Sequence, residues 1–242
     1  MVGGVLVPPT CCGCGRVGHV LCADCRAQLR PAVPLVSPPG VDEAFALLSY
    51  EGVAATAIQG AKFRHHREVL TLFADALGRL VAGRLGAELA GSGNAAVTWV
   101  PALAANRRRR GVDQGELIAA RVAAVLGLPR RCLLRRTDGH SQLGLDRATR
   151  LAGPAIAGCA PAPTTVVLID DVRTTGSSLR TGAMALRCGG AERIVAATLA
   201  VTPDPKRLPG VYHPSANPPC HGTKGDPVAD PSECTPYLSS RP

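Results

Sequence analysis

The sequence predicts an α/β protein: a mostly parallel sheet flanked by helices, with a small four-cysteine zinc knuckle at its N-terminus. Three observations predict it. Short apolar runs rich in β-branched residues alternate with helix-length segments, the pattern of strand–helix–strand units. One run, Val166-Val167-Leu168-Ile169, passes into two carboxylates and a hydroxyl-rich turn that opens a helix. Near the start, two Cys-x-x-Cys pairs are separated by seven residues.

Composition sets the outer bounds. The 242 residues suit one main domain plus additions, and 46% hydrophobic content supports a sizeable core. The segment 1–9 lacks the basic start and long apolar core of a signal peptide. No run of about 18 apolar residues occurs, so no membrane span is expected and a cytoplasmic location follows. In that compartment cysteines read as metal ligands or buried thiols rather than disulfides. The net charge is +9, and residues 107–150 carry eleven arginines against four acids. That segment could serve an anionic substrate or nucleic acid, but on charge alone a solvated arginine-rich face is the better reading.

Taken in order, Cys11-x-x-Cys14 and Cys22-x-x-Cys25 come first. Each two-residue gap lets a tight turn aim both sulfurs at one ion, and four thiolates complete a closed, structural Zn²⁺ site over 11–30. Cys12 and His19 are the alternative ligands. Prolines 31, 34, 38 and 39 with Gly40 mark a linker. Residues 44–50 read as a strand, and a helix follows Gly52 with Val53, Ala57 and Ile58 on one face. Residues 62–67 form a basic turn, where the adjacent His65 and His66 point too far apart to share a metal. A long apolar-striped helix then spans 68–89. Residues 97–101 are the next strand, ended by Pro101, with a loop over 102–106. An Ala-rich helix after Gln114 turns Leu117, Ile118, Val122 and Leu126 inward and stops at Gly127 and Pro129. Residues 132–136 make a short strand, 137–151 a polar loop, and 152–162 a segment of low complexity. The strand 165–169 leads to a helix from about Ser178 to Arg187 or Cys188, stopped by Gly189-Gly190, and a last buried strand spans 193–201. The main domain is thus 41–202. Ten prolines leave 203–242 little room for structure, so it reads as a disordered tail, with Cys220, His221 and Cys234 unconvincingly spaced for a metal.

The stretch 166–179 carries the chemistry. A turn that opens a helix presents unpaired N–H groups, and the helix dipole adds positive potential, which together suit a phosphate. Gly176 lets the backbone approach a ligand, and Thr174, Thr175, Ser177 and Ser178 add hydroxyl donors. Asp170 and Asp171 cannot favour the phosphate itself. They suit neighbouring hydroxyls or a hard cation such as Mg²⁺. The ligand asked for has a phosphate at one end and a diol near it, as a ribose 5-phosphate does. No Gly-x-x-x-x-Gly-Lys or Gly-x-Gly-x-x-Gly competes at this position.

The segment resembles the phosphoribosyl pyrophosphate (PRPP) motif of type I phosphoribosyltransferases, in which two acids precede a Thr-Thr-Gly turn. The resemblance implies that Asp170 and Asp171 face the ribose hydroxyls and act in catalysis. It also implies that Val172 and Thr174 to Ser178 wrap the 5-phosphate, and that Mg²⁺ accompanies PRPP. Further segments follow in order: the cysteine knuckle, Tyr50-Glu51-Gly52, Ala61-Lys62-Phe63-Arg64, Val100-Pro101, the Arg-Arg-Gly-x-x-Gln stretch from Arg109 to Gln114, and Arg136-Thr137 with Gln142, Leu145, Arg147 and Arg150. Together these are similar to the ComF (competence protein F) family over roughly 11–201, a likeness that implies a type I phosphoribosyltransferase-like fold and a link to DNA uptake. Two places depart from the family pattern: Val112-Asp113 stands where Phe-Asn is usual, and Ala102-Leu103-Ala104-Ala105 where a polar or basic residue is. Lys62, Arg107 and Arg109 are the expected sources of charge toward pyrophosphate or DNA.

Two functions follow as expectations. One is a protein that binds PRPP or a related phosphosugar or nucleotide, with displacement of pyrophosphate at C1 by a base or amine as its reaction. The other is a non-catalytic zinc protein that contacts single-stranded DNA among DNA-uptake partners. Against generic strand binding, aromatic stacking platforms are scarce: one Trp, three Tyr and three Phe. A third reading, a zinc-stapled scaffold with a vestigial site, expects no ligand.

Overall fold

The computed structural model describes residues 8–61, 67–137 and 155–203. Among them a four-stranded, wholly parallel sheet runs in the order β1 (Glu43–Ser49), β6 (Arg193–Val201), β5 (Thr165–Arg173), β2 (Ala95–Trp99). The mostly parallel sheet flanked by helices is therefore present. A separate antiparallel pair joins β3 (Leu134–Arg136) to β4 (Ile156–Gly158).

Each central strand alternates between two cores, as a strand buried on both faces must. Val167, Ile169, Val195, Ala197 and Leu199 face one cluster, built with α2 (Gly52–Gly60), α3 (Arg67–Gly91) and α5 (Gln114–Leu126). Val166, Leu168, Ile194 and Ala196 face the other, built with α6 (Ser177–Cys188) and the β3–β4 pair. On α6 the buried positions are Leu179, Gly182, Ala183 and Leu186, the spacing of one helical face. Gly182 is needed there for contact: a Cβ would lie 3.2 Å from Leu134 Cδ1 and 3.4 Å from Leu168 Cδ2.

Both sheet edges are covered, which removes sites for stray strand pairing. Residues 30–32 pair with the outer edge of β1, where Ser49 N–H donates to Arg30 O at 2.8 Å and Ala32 N–H to Leu47 O at 3.2 Å. Residues 129–131 pair with β2 through Val97. The proline-rich segment 31–40 thus starts as a strap on the sheet edge and goes on to meet Arg173 through Val36 O and α6 beside Gly40.

The sequence-based elements shift in four places. The motif strand continues beyond Ile169 to Arg173, because β6 lies alongside it as far as Val201. Residues 102–106 do not stay a loop: α4 (Ala104–Arg110) begins inside them. Leu117 stays exposed on α5, whereas Ile118 and Val122 are buried as expected. The low-complexity stretch contains β4, whose partner β3 was not adjacent in sequence. Lys62, the His65-His66 pair, the loop beyond 137 with Gln142, Leu145, Arg147 and Arg150, and the tail with Cys220, His221 and Cys234 lie outside the described residues.

Candidate functional site

The connections that leave β2 and β5 go to opposite faces of the sheet. Helix α5 follows β2 and packs against Val97, Trp99, Val167 and Ile169. Helix α6 follows β5 and packs against Val166 and Leu168. Two neighbouring parallel strands whose helices diverge leave a crevice beyond their carboxyl ends, where open α/β sheets bind ligands. A cleft of about 240 Å³ lies there. Asp170, Asp171, Val172 and Ser178 line one side, and Pro101, Asp113 and Gln114 are on the other.

The β5 side holds the expected turn. Thr174 and Thr175 are exposed, Gly176 is buried, and α6 starts at Ser177. Gly176 caps the helix with φ +78°, a left-handed conformation that favours glycine. Space excludes a side chain as well: a Cβ would lie 3.2 Å from Arg173 Nε and 3.5 Å from Pro38 Cβ. No side chain caps α6, and its first turn has no acid. Ser177 N–H donates weakly to Thr175 Oγ1 at 3.3 Å. Arg173 is buried behind the turn and donates to Val36 O at 2.7 Å, which ties the turn to the strap.

The paired carboxylates sit at the strand end. Asp171 N–H donates to Asp170 Oδ1 at 2.9 Å, and Val172 N–H to Asp171 Oδ1 at 2.7 Å. Burial, then the like charge of Asp171, raises the Asp170 carboxyl well above the ordinary range, and Asp113 adds in the same direction. Asp170 keeps partial surface exposure, so the crowding is at its carboxyl and opens onto the cleft. A group placed this way gains from a hydroxyl donor or a cation.

The β2 side is arranged differently. Asp113 caps α5, accepting from Glu116 N–H at 3.4 Å, while its other oxygen accepts from Ala102 N–H at 3.0 Å. Burial raises its carboxyl, opposed by those N–H groups, that of Gly115, and the charge of Arg107. Arg136 reaches Pro101 O at 3.4 Å and also lines the cleft. Arg107 is exposed on α4, and the side chain of Arg109 lies outside the described part. Asp113, which in the sequence stands only as a departure from the family pattern, and Arg136, only as part of a motif, both line the cleft, a place that motif reading does not assign them. For Asp113 a local signal existed, because Asp113-x-x-Glu116 before an apolar helix is a capping pattern.

The cysteine knuckle resolves its own ambiguity. The Sγ atoms of Cys11, Cys14, Cys22 and Cys25 all lie within 4.8 Å of one another and could hold a metal ion such as zinc. Cys14 Sγ and Cys22 Sγ are 3.7 Å apart. Tetrahedral zinc with Zn–S near 2.3 Å requires about 3.8 Å, so the residues fit the ion. Burial acts to raise the Cys11 thiol, but N–H groups of Cys22, Cys14 and Gly13 outweigh it and bring it down to about 6. Cys12 turns the other way, into the main core beside Leu48, where burial raises it to about 11. The single Trp99 is 8% exposed and lies under Arg130, 5.7 Å from ring centroid to guanidinium, so it offers no stacking face.

No family model matches the chain, and no curated protein does. Among solved structures, an allosteric regulatory enzyme of purine biosynthesis aligns at 19% identity and TM-score 0.35, over 52% of this chain and 25% of that one. A purine phosphoribosyltransferase from Pyrococcus horikoshii aligns at 19% identity and TM-score 0.35, over 57% and 79%. A glutamine PRPP amidotransferase from B. subtilis, complexed with ADP and GMP, aligns at 20% identity and TM-score 0.34, over 52% and 26%. The chain spans about a quarter of the first and third. Likenesses this distant assign no activity to the chain.

Proposed function

We propose that the cleft binds a phosphoribosyl ligand, a phosphosugar or nucleotide of the class to which PRPP belongs. The 5-phosphate would sit on the turn 174–178, where an uncapped helix start and hydroxyls converge. The ribose hydroxyls would donate to Asp170 and Asp171. The observation that carries the reading is this coincidence at one switch point: an acid-free helix start next to a pair of carboxylates that end the strand and line the cleft. Asp170 and Asp171 would hold Mg²⁺, which supplies charge neutralisation for a phosphate-rich ligand. With PRPP as the ligand, the reaction open to this site is displacement of pyrophosphate at C1 by a base or amine. The chain would contribute positioning and charge stabilisation to it. The knuckle would hold a structural zinc, since four thiolates leave no open coordination position. The ordered motifs favour a cytoplasmic, ComF-like protein.

Calorimetry with ribose 5-phosphate and with PRPP, each with Mg²⁺, tests the reading. The Asp170→Asn, Asp171→Asn double variant should lose at least a hundredfold in affinity while melting no lower than wild type. Relief of a crowded buried charge tends to stabilise a ligand-free site, by about 1 kcal/mol. Undiminished binding in the folded double variant would move the ligand elsewhere.

A further inference from the structure

We infer that Asp113 makes this cleft select a phosphoribosyl compound with one phosphate, such as ribose 5-phosphate, over one that also carries a diphosphate at C1. The inference rests on the proposed placement of the ribose and its 5-phosphate.

With the 5-phosphate on the start of α6 and the hydroxyls over Asp170 and Asp171, the C1 end points across the cleft. There it meets the turn after β2 and the start of α5. A diphosphate at that end needs donors and positive charge. The Ala102 N–H, the donor nearest the strand end, is already given to Asp113 Oδ2 at 3.0 Å. The second Asp113 oxygen accepts from Glu116 N–H at the start of α5. Both oxygens accept N–H groups, which favours the ionised carboxylate against the burial that raises it. So the helix start that could have met an anion is closed by an internal one. Asp113 is 6% exposed, held by backbone at both oxygens, and cannot swing aside without uncapping α5.

The charge count agrees. Asp113, Asp170 and Asp171 line the cleft against Arg136. Arg136 donates to Pro101 O at 3.4 Å and is the one basic side chain among the described lining residues, against Asp113, Asp170 and Asp171. A single phosphate avoids this region by sitting on α6. A diphosphate at C1 enters it. Mg²⁺ reduces the repulsion but does not free the Ala102 N–H. Selection here is by an unfavourable element built against one ligand.

Asn at 113 is the diagnostic substitution. Its single carbonyl oxygen can keep the α5 cap, its charge is gone, and its NH₂ no longer accepts from Ala102. Calorimetry should compare ribose 5-phosphate with PRPP, with and without Mg²⁺, for wild type, Asp113→Asn and Asp113→Ser. Wild type should bind ribose 5-phosphate at least tenfold more tightly than PRPP. Both variants should gain about tenfold for PRPP, a gain that loss of structure cannot produce. PRPP bound by wild type as tightly as ribose 5-phosphate would overturn the inference and leave the phosphoribosyl site standing. A wild-type preference that both folded variants retain unchanged would overturn Asp113's part in it. Binding of neither ligand by wild type would remove the phosphoribosyl reading and this inference with it.

Discussion

The turns that leave β5 and β2 start from neighbouring parallel strands and each feed a helix, yet they solve opposite problems. After β5 the chain reaches α6 with a left-handed glycine, no capping side chain and no acid in the first turn. After β2 it makes the short α4 and then enters α5 with a carboxylate that caps the helix and fastens the preceding loop. The first starts its helix without a side-chain cap, and the second gives the Ala102 and Glu116 N–H groups to one carboxylate. A helix start becomes an anion site only where the chain withholds its own anion.

Glycine substitutions break the comparison most strongly. Gly176→Ala should be the larger effect. It combines a left-handed φ with a Cβ 3.2 Å from buried Arg173, at a cost of about 2–3 kcal/mol. Phosphosugar affinity should fall more than tenfold in the same variant, as read by denaturant melts and calorimetry. On the other side Gly115 has ordinary φ but tight surroundings: a Cβ would lie 3.1 Å from Val100 O and 3.2 Å from Trp99 Cδ1. Gly115→Ala should cost about 1 kcal/mol from crowding alone and leave inorganic phosphate binding on α6 less affected than Gly176→Ala does. If the two variants lose phosphate affinity equally, the two turns are not functionally distinct.

The smallest effect is in pH. The Asp170 carboxyl is raised in the folded protein by burial and then by Asp171, while in the unfolded chain it titrates near ~3.9. Between those values the folded protein binds the extra proton, so its stability falls as pH rises through the window and stays lowered above it. Asp75, on α3, works the other way: its hydrogen-bonded partner Arg121 lowers it, so its contribution is lost as pH falls. Melting temperatures of wild type and Asp170→Asn between about pH 4 and 8 separate the two. The variant should lack the downward slope, and a slope that survives the substitution would assign it to another group.

Much of the frame was legible along the chain. Arg193–Val201 appears with the boundaries its apolar run implies, and the start of the motif strand, Gly176 and the start of α6 fall within a residue of their expected places. The two cysteine pairs announced a metal-sized cluster by spacing alone. These features are short-range: a β-branched run, a glycine before a helix and two-residue gaps act through bonds and neighbours along the chain. What the sequence left open depends on partners far away in it. Cys11 rather than Cys12 joins the cluster because Cys12 finds Leu48 and the main core. The motif strand runs on to Arg173 because β6 extends beside it. Trp99 is withdrawn from ligands by α5 and Arg130. Asp113 reads locally as a helix cap, and only the folded chain brings Ala102 to its second oxygen and Asp170 across from it. The sequence by itself determined which segments could be strands, helices and ligand turns. Tertiary structure decided which donors remained free, because a hydrogen bond between remote residues is settled by which groups packing brings within 3 Å of each other.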